Sequence, residues 1–297
     1  MYDICCVGHI TLDRVVTPQS SVYMAGGTSF YFSSAIHQLP VQYGLVTALG
    51  DAEMQYVEDL RALGVSVTAL PSRYSVFFEN IYPANADERI QNVLAIAEPF
   101  AIGHLKEIQS AVFHLGPLLA EDIPVSMIRE LAARSSVSLD VQGYLRTVRN
   151  QKVFAVDWQE KKDALQYVSI LKTSESEMEV LTGHADIKSS AIMLNKWGVK
   201  EVIVTLGSKG SVIYSNDRFY EIPAFVPRVT VDATGCGDTY MAGYLYKRHQ
   251  QADIQDAGEF AAAIASLKIE QSGPFKGSEN DVLQVVRQGE RYFAGWL

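Results

Sequence analysis

Apolar runs of strand length alternate with stretches of helical periodicity along most of this 297-residue chain. The alternation begins with "DICCVGHI", "TSFYFSSAIHQL", "YGLVTALG" and "AEMQYVEDLRALGV". It resumes with "AVFHLGPL", "PVSMIRELAARSS", "VSLDVQG", "SILKTS", "SEMEVLTG", "AIMLNKWGV" and "EVIVTLG". Strands separated by helices pair in parallel, because each return crossing is a helix lying on the sheet. The pattern predicts an α/β fold with a mostly parallel central sheet and helices on both faces. Ligands of such sheets sit beyond the carboxyl ends of the strands, where the polar and glycine-rich turns of this chain fall.

Two stretches break the alternation. "RVVTPQSSVYM" and "YSVFFENIYPANADERIQNVLAIA" hold short strand-like runs and a polar turn, "ANADE", with no helix between them. They read as a small antiparallel sheet, either a lid over a site or a solvent-facing hairpin extension. The division expected is a core of residues 1–9, 26–72 and 99–297 and a β lid of residues 10–25 and 73–98.

Charge narrows the partners. Lys and Arg total 25 against 34 Asp and Glu, a formal charge of −9 with no basic block, which argues against nucleic acid or an anionic membrane. Val15 to Gly50 carries no charged residue, but Pro18, Pro40 and polar residues interrupt it before it could form a membrane span. A segment buried in protein or facing a ligand fits better. The start, "MYDICCVGHI", contains Asp3 and has no basic leader of a secretory signal. Cys5 and Cys6 lie together in an apolar run, and with Cys236 they suggest a reducing, cytoplasmic compartment. The six histidines show no ligand spacing. "GHADIKSS" fails as a P-loop, since Ile187 stands where glycine must precede Lys188.

The chemistry concentrates in "VDATGCGDTYMAG". "RVTVD" alternates as a strand and "DTYMAGYLYKR" has helical spacing, so Gly235, Cys236 and Gly237 fall between a strand end and a helix start. Free backbone N–H groups there, with the helix dipole, make an anion site that glycines let a phosphate approach closely. Asp238 in the first turn could take a proton from a hydroxyl bound beside that anion, or merely cap the helix. Cys236 reads as a small residue whose amide matters rather than as a nucleophile.

"DATGCGD" resembles the Asp-Thr-x-Gly-Ala-Gly-Asp signature of the ribokinase, or PfkB, family of carbohydrate kinases. The resemblance implies a ribokinase-like fold, Asp238 as catalytic base and Gly235 to Gly237 as the anion hole. Further segments match in order from about Gly8 to Gly273. "VGHITLD" resembles the first strand with its substrate-binding Asp, here Asp13, and "AGGTSFYFSSAIHQL" the di-glycine segment, with Gly26 and Gly27 against substrate hydroxyls. "LKTSESEMEVLTG" is similar to the Lys-x-Asn-x-x-Glu segment tied to magnesium and phosphate, which implies Lys172 and Ser174 at the nucleotide and Glu177 at Mg²⁺ through water. "VTLGSKG" resembles the strand-turn beside the nucleotide, with Thr205, Gly207 and Gly210. "AAAIASLKIEQSG", with Ser266, resembles the helix and turn flanking the adenine and a monovalent cation such as K⁺.

Some positions depart from the family pattern. Where an Asn usually follows the di-glycine, Phe30, Tyr31 and Phe32 stand. Three consecutive helical aromatics cannot all face the core, so one of them, with Phe30 first, walls the substrate pocket or packs under the lid. Ser174 replaces an Asn, and Glu177 orders metal-bound water or is a solvated helix charge. "DVQGYLR", with Asp140, Gln142 and Arg146, resembles the inositol kinase subgroup, and Asp140 contacts substrate or caps a turn. The expectation is an ATP- and Mg²⁺-dependent kinase acting on a hydroxyl of a small neutral polyol, a cyclitol such as myo-inositol first and a ribose, fructose or nucleoside kinase second. A homodimer is compatible with this reading, and the rival from another class is a non-catalytic sugar or nucleotide sensor.

Overall fold

In the computed structural model, which describes residues 1–82 and 90–295, β1 (Tyr2–Val7) is an interior strand of the large sheet, third from one edge. The chain then leaves for a second sheet through β2 (Thr11–Val16) and β3 (Ser21–Gly26), and returns by α1 (Thr28–Ile36), β4 (Tyr43–Leu49), α2 (Met54–Ala62) and β5 (Ser66–Pro71). β6 (Val76–Ile81) and β7 (Ile90–Ala95) revisit the second sheet; β8 (Ser110–Leu115), α3 (Val125–Ala132) and β9 (Ser136–Asp140) rebuild the first. A third excursion, β10 (Arg146–Arg149) and β11 (Lys152–Ala155), precedes α4 (Lys161–Leu165), β12 (Ile170–Ser174), α5 (Glu175–Thr182) and α6 (Ile187–Lys196). β13 (Glu201–Thr205), β14 (Ser211–Ser215), β15 (Arg218–Ile222) and β16 (Ala224–Phe225) follow, then α7 (Cys236–His249), α8 (Ile254–Ile269), α9 (Glu279–Gln288) and β17 (Arg291–Tyr292).

Among the described residues the large sheet runs β15-β14-β13-β12-β9-β8-β1-β4-β5, parallel from β13 through β5, with β14 and β15 antiparallel at one edge. Alternate residues of one strand feed opposite cores, as the two-residue period requires. Ile4 and Cys6 face a core with α1, α2, α7, α8 and α9, while Cys5 and Val7 face one with α3, α4, α5 and α6. Both faces are therefore covered, and the arrangement is the expected α/β one with a mostly parallel sheet. Burial pushes the Cys6 thiol up to about 12 and raises Cys5 further, so both act as core residues. Helix starts follow local chemistry: Ser174, Asp186, Asp253 and Ser278 cap α5, α6, α8 and α9 with side-chain oxygens on backbone N–H groups.

The small sheet runs β10-β11-β7-β6-β2-β3. It is antiparallel except for β2 and β6, which pair in parallel. β3, α1, β4, α2 and β5 lie between those two strands in sequence, and such a crossover brings β6 back in the direction of β2. β10 and β11 join this sheet from a segment the sequence did not set apart from the core. The turn "ANADE", residues 84–88, lies outside the described residues. Among those described, no helix is long and apolar enough to cross a membrane.

Candidate active site

Gly235 caps α7 with φ 75°, in the left-handed region that favours glycine. A Cβ there would also enter the ring of Tyr31. "RVTVD" before it is not a strand: the amides of Val231 and Asp232 donate to Ile269 O at 2.9 and 3.2 Å. With no neighbouring strand to pair with, its alternation leaves Val229 and Val231 half exposed. The Cys236 amide turns back onto Ala233 O at 3.2 Å. The expected cradle of three amides thus narrows to Gly235 and Gly237, which have no protein acceptor among the described residues. Burial pushes the Cys236 thiol up to about 11, which fits a small packing residue and not a nucleophile.

A buried cation stands over this turn. A Cβ on Gly237 would lie 3.1 Å from Lys172 Nζ, and that ammonium donates to Asp140 Oδ2 at 2.8 Å. Burial alone would discharge Lys172, but the carboxylates of Asp140, Glu177 and Asp238 together hold its pKa above the ordinary lysine value. The other Asp140 oxygen accepts from the Gln142 amide at 3.2 Å. Asp140 is therefore both a turn cap and the counter-ion of Lys172. Asp238, in the first turn of α7, has its carboxyl pushed up to about 6, by burial first and then by the negative charge of Asp140. Lys172, a hydrogen bond with the Thr28 side chain and Arg146 pull it the other way. The turn thus joins an anion cradle, a cation and a carboxyl poised to exchange a proton near neutral pH.

The residues expected at the acceptor lie on β2 and at the start of α1. Asp13 is 8% exposed, and its Oδ1 accepts from Thr11 Oγ1 at 2.6 Å. A Cβ on Gly26 would sit 2.6 Å from Asp13 Cγ, and one on Gly27, at φ 85°, 2.5 Å from His9 O. The di-glycine therefore lets α1 begin directly against the Asp13 carboxylate. Phe32 is fully buried and stacks on His114 at 4.6 Å. Tyr31 lies on Gly235, and Phe30 meets it edge-on at 5.6 Å, partly buried against the core. Burial, then the charges of Asp232, Asp13 and Asp238, raise the Tyr31 hydroxyl well above its usual range, so it stays neutral.

The remaining expected residues follow the strand ends. Thr205 closes β13, and its Oγ1 donates to Thr173 O at 3.4 Å. Gly207 and Gly210 take φ 60° and 88° in the turn to β14. Ser266 Oγ donates within α8 to Ala263 O at 2.9 Å. Ser174 and Glu177 form a reciprocal cap, with Ser174 N donating to Glu177 Oε2 at 2.8 Å and Glu177 N to Ser174 Oγ at 3.3 Å. Among the described residues no three His, Cys, Asp or Glu side chains gather as a metal cage. Mg²⁺ held by one carboxylate, phosphate oxygens and water needs no such cage, so Glu177 fits that group. Sequence reasoning missed Thr28 and the buried Lys268, and singled out Tyr31 only as one of three aromatics that could wall the pocket. Only Lys268 left a plain signal, as the one charge in "FAAAIASLKI".

A pyrophosphate-dependent kinase in the ribokinase family, solved with a pyrophosphate analog and myo-inositol, superposes with TM-score 0.85 and 28% identity over 94% of this chain and 99% of that one. A cytidine kinase of Thermococcus kodakarensis is 27% identical over 82% of this chain and 88% of its own length. A nucleoside kinase of Methanocaldococcus jannaschii is 25% identical over 92% of each. The pattern of the pfkB family carbohydrate kinases matches residues 1–281. The chain belongs to that family, as a sugar or nucleoside kinase of ribokinase type.

Proposed function

We propose that the protein transfers the γ-phosphoryl group of ATP to a hydroxyl of a small neutral polyol, with a cyclitol such as myo-inositol as first candidate. The observation that carries this is the convergence of Asp238, Lys172 and the Gly235 and Gly237 amides at the start of α7. Asp238 accepts the proton of the attacking hydroxyl, while Lys172 and the two amides hold charge on the phosphoryl group in transit. Mg²⁺ at the donor phosphates supplies charge neutralisation. Asp13 accepts hydrogen bonds from acceptor hydroxyls beneath the Gly26–Gly27 backbone, and Phe30 walls the pocket beside Tyr31. Asp140 serves the acceptor only indirectly, through Lys172. The small sheet, with β2, β3, β6 and β7 joined by β10 and β11, acts as the lid.

Two features favour this acceptor and donor. The stretch from Val15 to Gly50, which forms α1 and its approach, holds no cation to neutralise an acidic acceptor. The exposed Val226, Val229 and Val231 offer apolar surface to a nucleobase, which pyrophosphate does not need. One neighbour was solved with myo-inositol and two relatives are a cytidine and a nucleoside kinase, which supports either acceptor class. Values of kcat/KM over myo-inositol, ribose, fructose, cytidine and their phosphates, with ATP and with pyrophosphate, separate the readings. A neutral polyol and ATP are expected to lead; preference for a sugar phosphate contradicts the neutral acceptor, and preference for cytidine gives the site to nucleosides.

Asp13→Ala is expected to raise the acceptor KM by about 10- to 100-fold, the worth of hydrogen bonds to a charged group, with the KM for ATP little changed. Equal loss for both substrates would remove Asp13 from the acceptor site. Glu177→Gln keeps the helix cap, since either side chain closes a capping box, yet discards the carboxylate. The Mg²⁺ concentration for half-maximal rate should rise several-fold at unchanged melting temperature. An unchanged Mg²⁺ titration would leave Glu177 as a helix cap and a charge neighbour of Lys172.

A further inference from the structure

Lys268 is fully buried in α8, and its ammonium is spent on one residue of the loop that leads to the anion turn. Nζ donates to the main-chain oxygen of Asp232 at 2.7 Å and lies 3.3 Å from Asp232 Oδ2. It also stands 5.5 Å from the centre of the Tyr31 ring, the ring that rests on Gly235. A backbone carbonyl and a carboxylate oxygen side by side are the hard oxygen donors an alkali cation takes. Here a compact organic cation with three N–H donors already satisfies them. The other Asp232 oxygen accepts from Thr234 N at 2.9 Å, and the backbone of Val231 and Asp232 is tied to Ile269 O. The positive charge of Lys268 also reaches the first residue of α7, where it counteracts the rise of the Cys236 thiol. A monovalent ion such as K⁺ therefore does not fit beside Asp232 while Lys268 is present.

We infer that Lys268 is a built-in monovalent cation: it fixes the Asp232 to Gly235 loop and lends positive charge to the anion turn, which frees the enzyme from any need for K⁺. This rests on the kinase reading for its effect on turnover, but its effect on the fold does not. Lys268 touches neither substrate by this account and acts as a positioning residue through the loop.

The test compares KCl, NH₄Cl and tetramethylammonium chloride at one ionic strength, reading turnover and melting temperature of the full chain. The native protein is expected to give the same values in all three salts. Lys268→Ala should lose about 10- to 100-fold in turnover, as when the partner of a site residue is removed. It should regain part of the rate and of its melting temperature in K⁺ or NH₄⁺ but not in tetramethylammonium. Lys268→Met, whose side chain fills the space without charge, should show no such rescue. A several-fold rise of native turnover, or a clear rise of its melting temperature, on adding K⁺ overturns the inference whether or not either variant folds. A folded Ala variant indifferent to the cation overturns it as well. If no acceptor is phosphorylated at all, the kinase reading fails, while the melting temperatures still decide the role of Lys268.

Discussion

Asp238→Asn is expected to lower turnover by about 10²- to 10⁴-fold, the usual contribution of a positioned general base, with ATP affinity largely kept. The amide has nearly the volume of the carboxyl, so the first turn of α7 and the amides of Gly235 and Gly237 stay in place. The pH dependence gives an independent check. The Asp238 carboxyl sits at about 6 because burial and the charge of Asp140 disfavour its ionised form, so native kcat/KM should fall as pH drops through about 6 and the base is protonated. The linkage to stability follows from the same shift. A folded pKa raised above the unfolded value of 3.8 means that the stability contributed by this group is full below pH about 4 and is lost as pH rises through about 6. The Asn variant, which cannot ionise, should gain in melting temperature over the native protein across that window and hold the gain above it. Near-native turnover in the variant, or a native rate flat between pH 5 and 7 (about one unit either side of the value above), would contradict the assignment.

Lys172→Met should be nearly as damaging, in two separable ways. Removing the ammonium leaves Asp140, which is 2% exposed, without its counter-ion, and breaking a buried pair typically costs about 3–5 kcal/mol of stability. It also strips the cation from above Gly237, where loss of one stabilising group costs about 3 kcal/mol of the barrier, or roughly 10²-fold in turnover. The double variant Lys172→Met/Asp140→Asn removes the orphaned charge. It should recover much of the melting temperature and little of the rate. Recovery of both would make Lys172 a structural partner of Asp140 and nothing more.

The fold was legible because period and punctuation agree along the chain. Each apolar run from "DICCVGHI" to "EVIVTLG" became the strand or helix its spacing implied, since both faces of a parallel sheet must be covered. "RVTVD" misled because two-residue alternation reports a half-buried extended segment, not the presence of a partner strand. There the backbone is held by the end of α8 instead. The direction of β6 along β2 and the addition of β10 and β11 depend on pairings distant in sequence, which local pattern does not carry.

At the candidate site, the residues that can be read from a motif were those whose backbone makes the turns and close approaches, Gly235, Gly237, Gly26 and Gly27, together with the acid at the helix start. Partnerships were not legible. Asp140 with its turn position read as a candidate for substrate, whereas its tie to Lys172 spans 32 residues of sequence and appears only when β9 and β12 lie side by side. Tyr31 and Lys268 are likewise site residues by packing, since one lies on Gly235 and the other on Asp232.

Phosphoryl transfer from ATP to a neutral hydroxyl, with Asp238 as the proposed base, can be followed directly. The most direct measurement is phosphorus NMR of the native protein and Asp238→Asn with Mg²⁺, ATP and myo-inositol, then with the other neutral polyols. A phosphomonoester signal growing in step with ADP is expected for the native protein, and almost none for the variant over the same time. Nucleotide bound by the native protein with no phosphomonoester formed from any neutral acceptor would contradict this transfer and leave a sensor with the fold of a kinase.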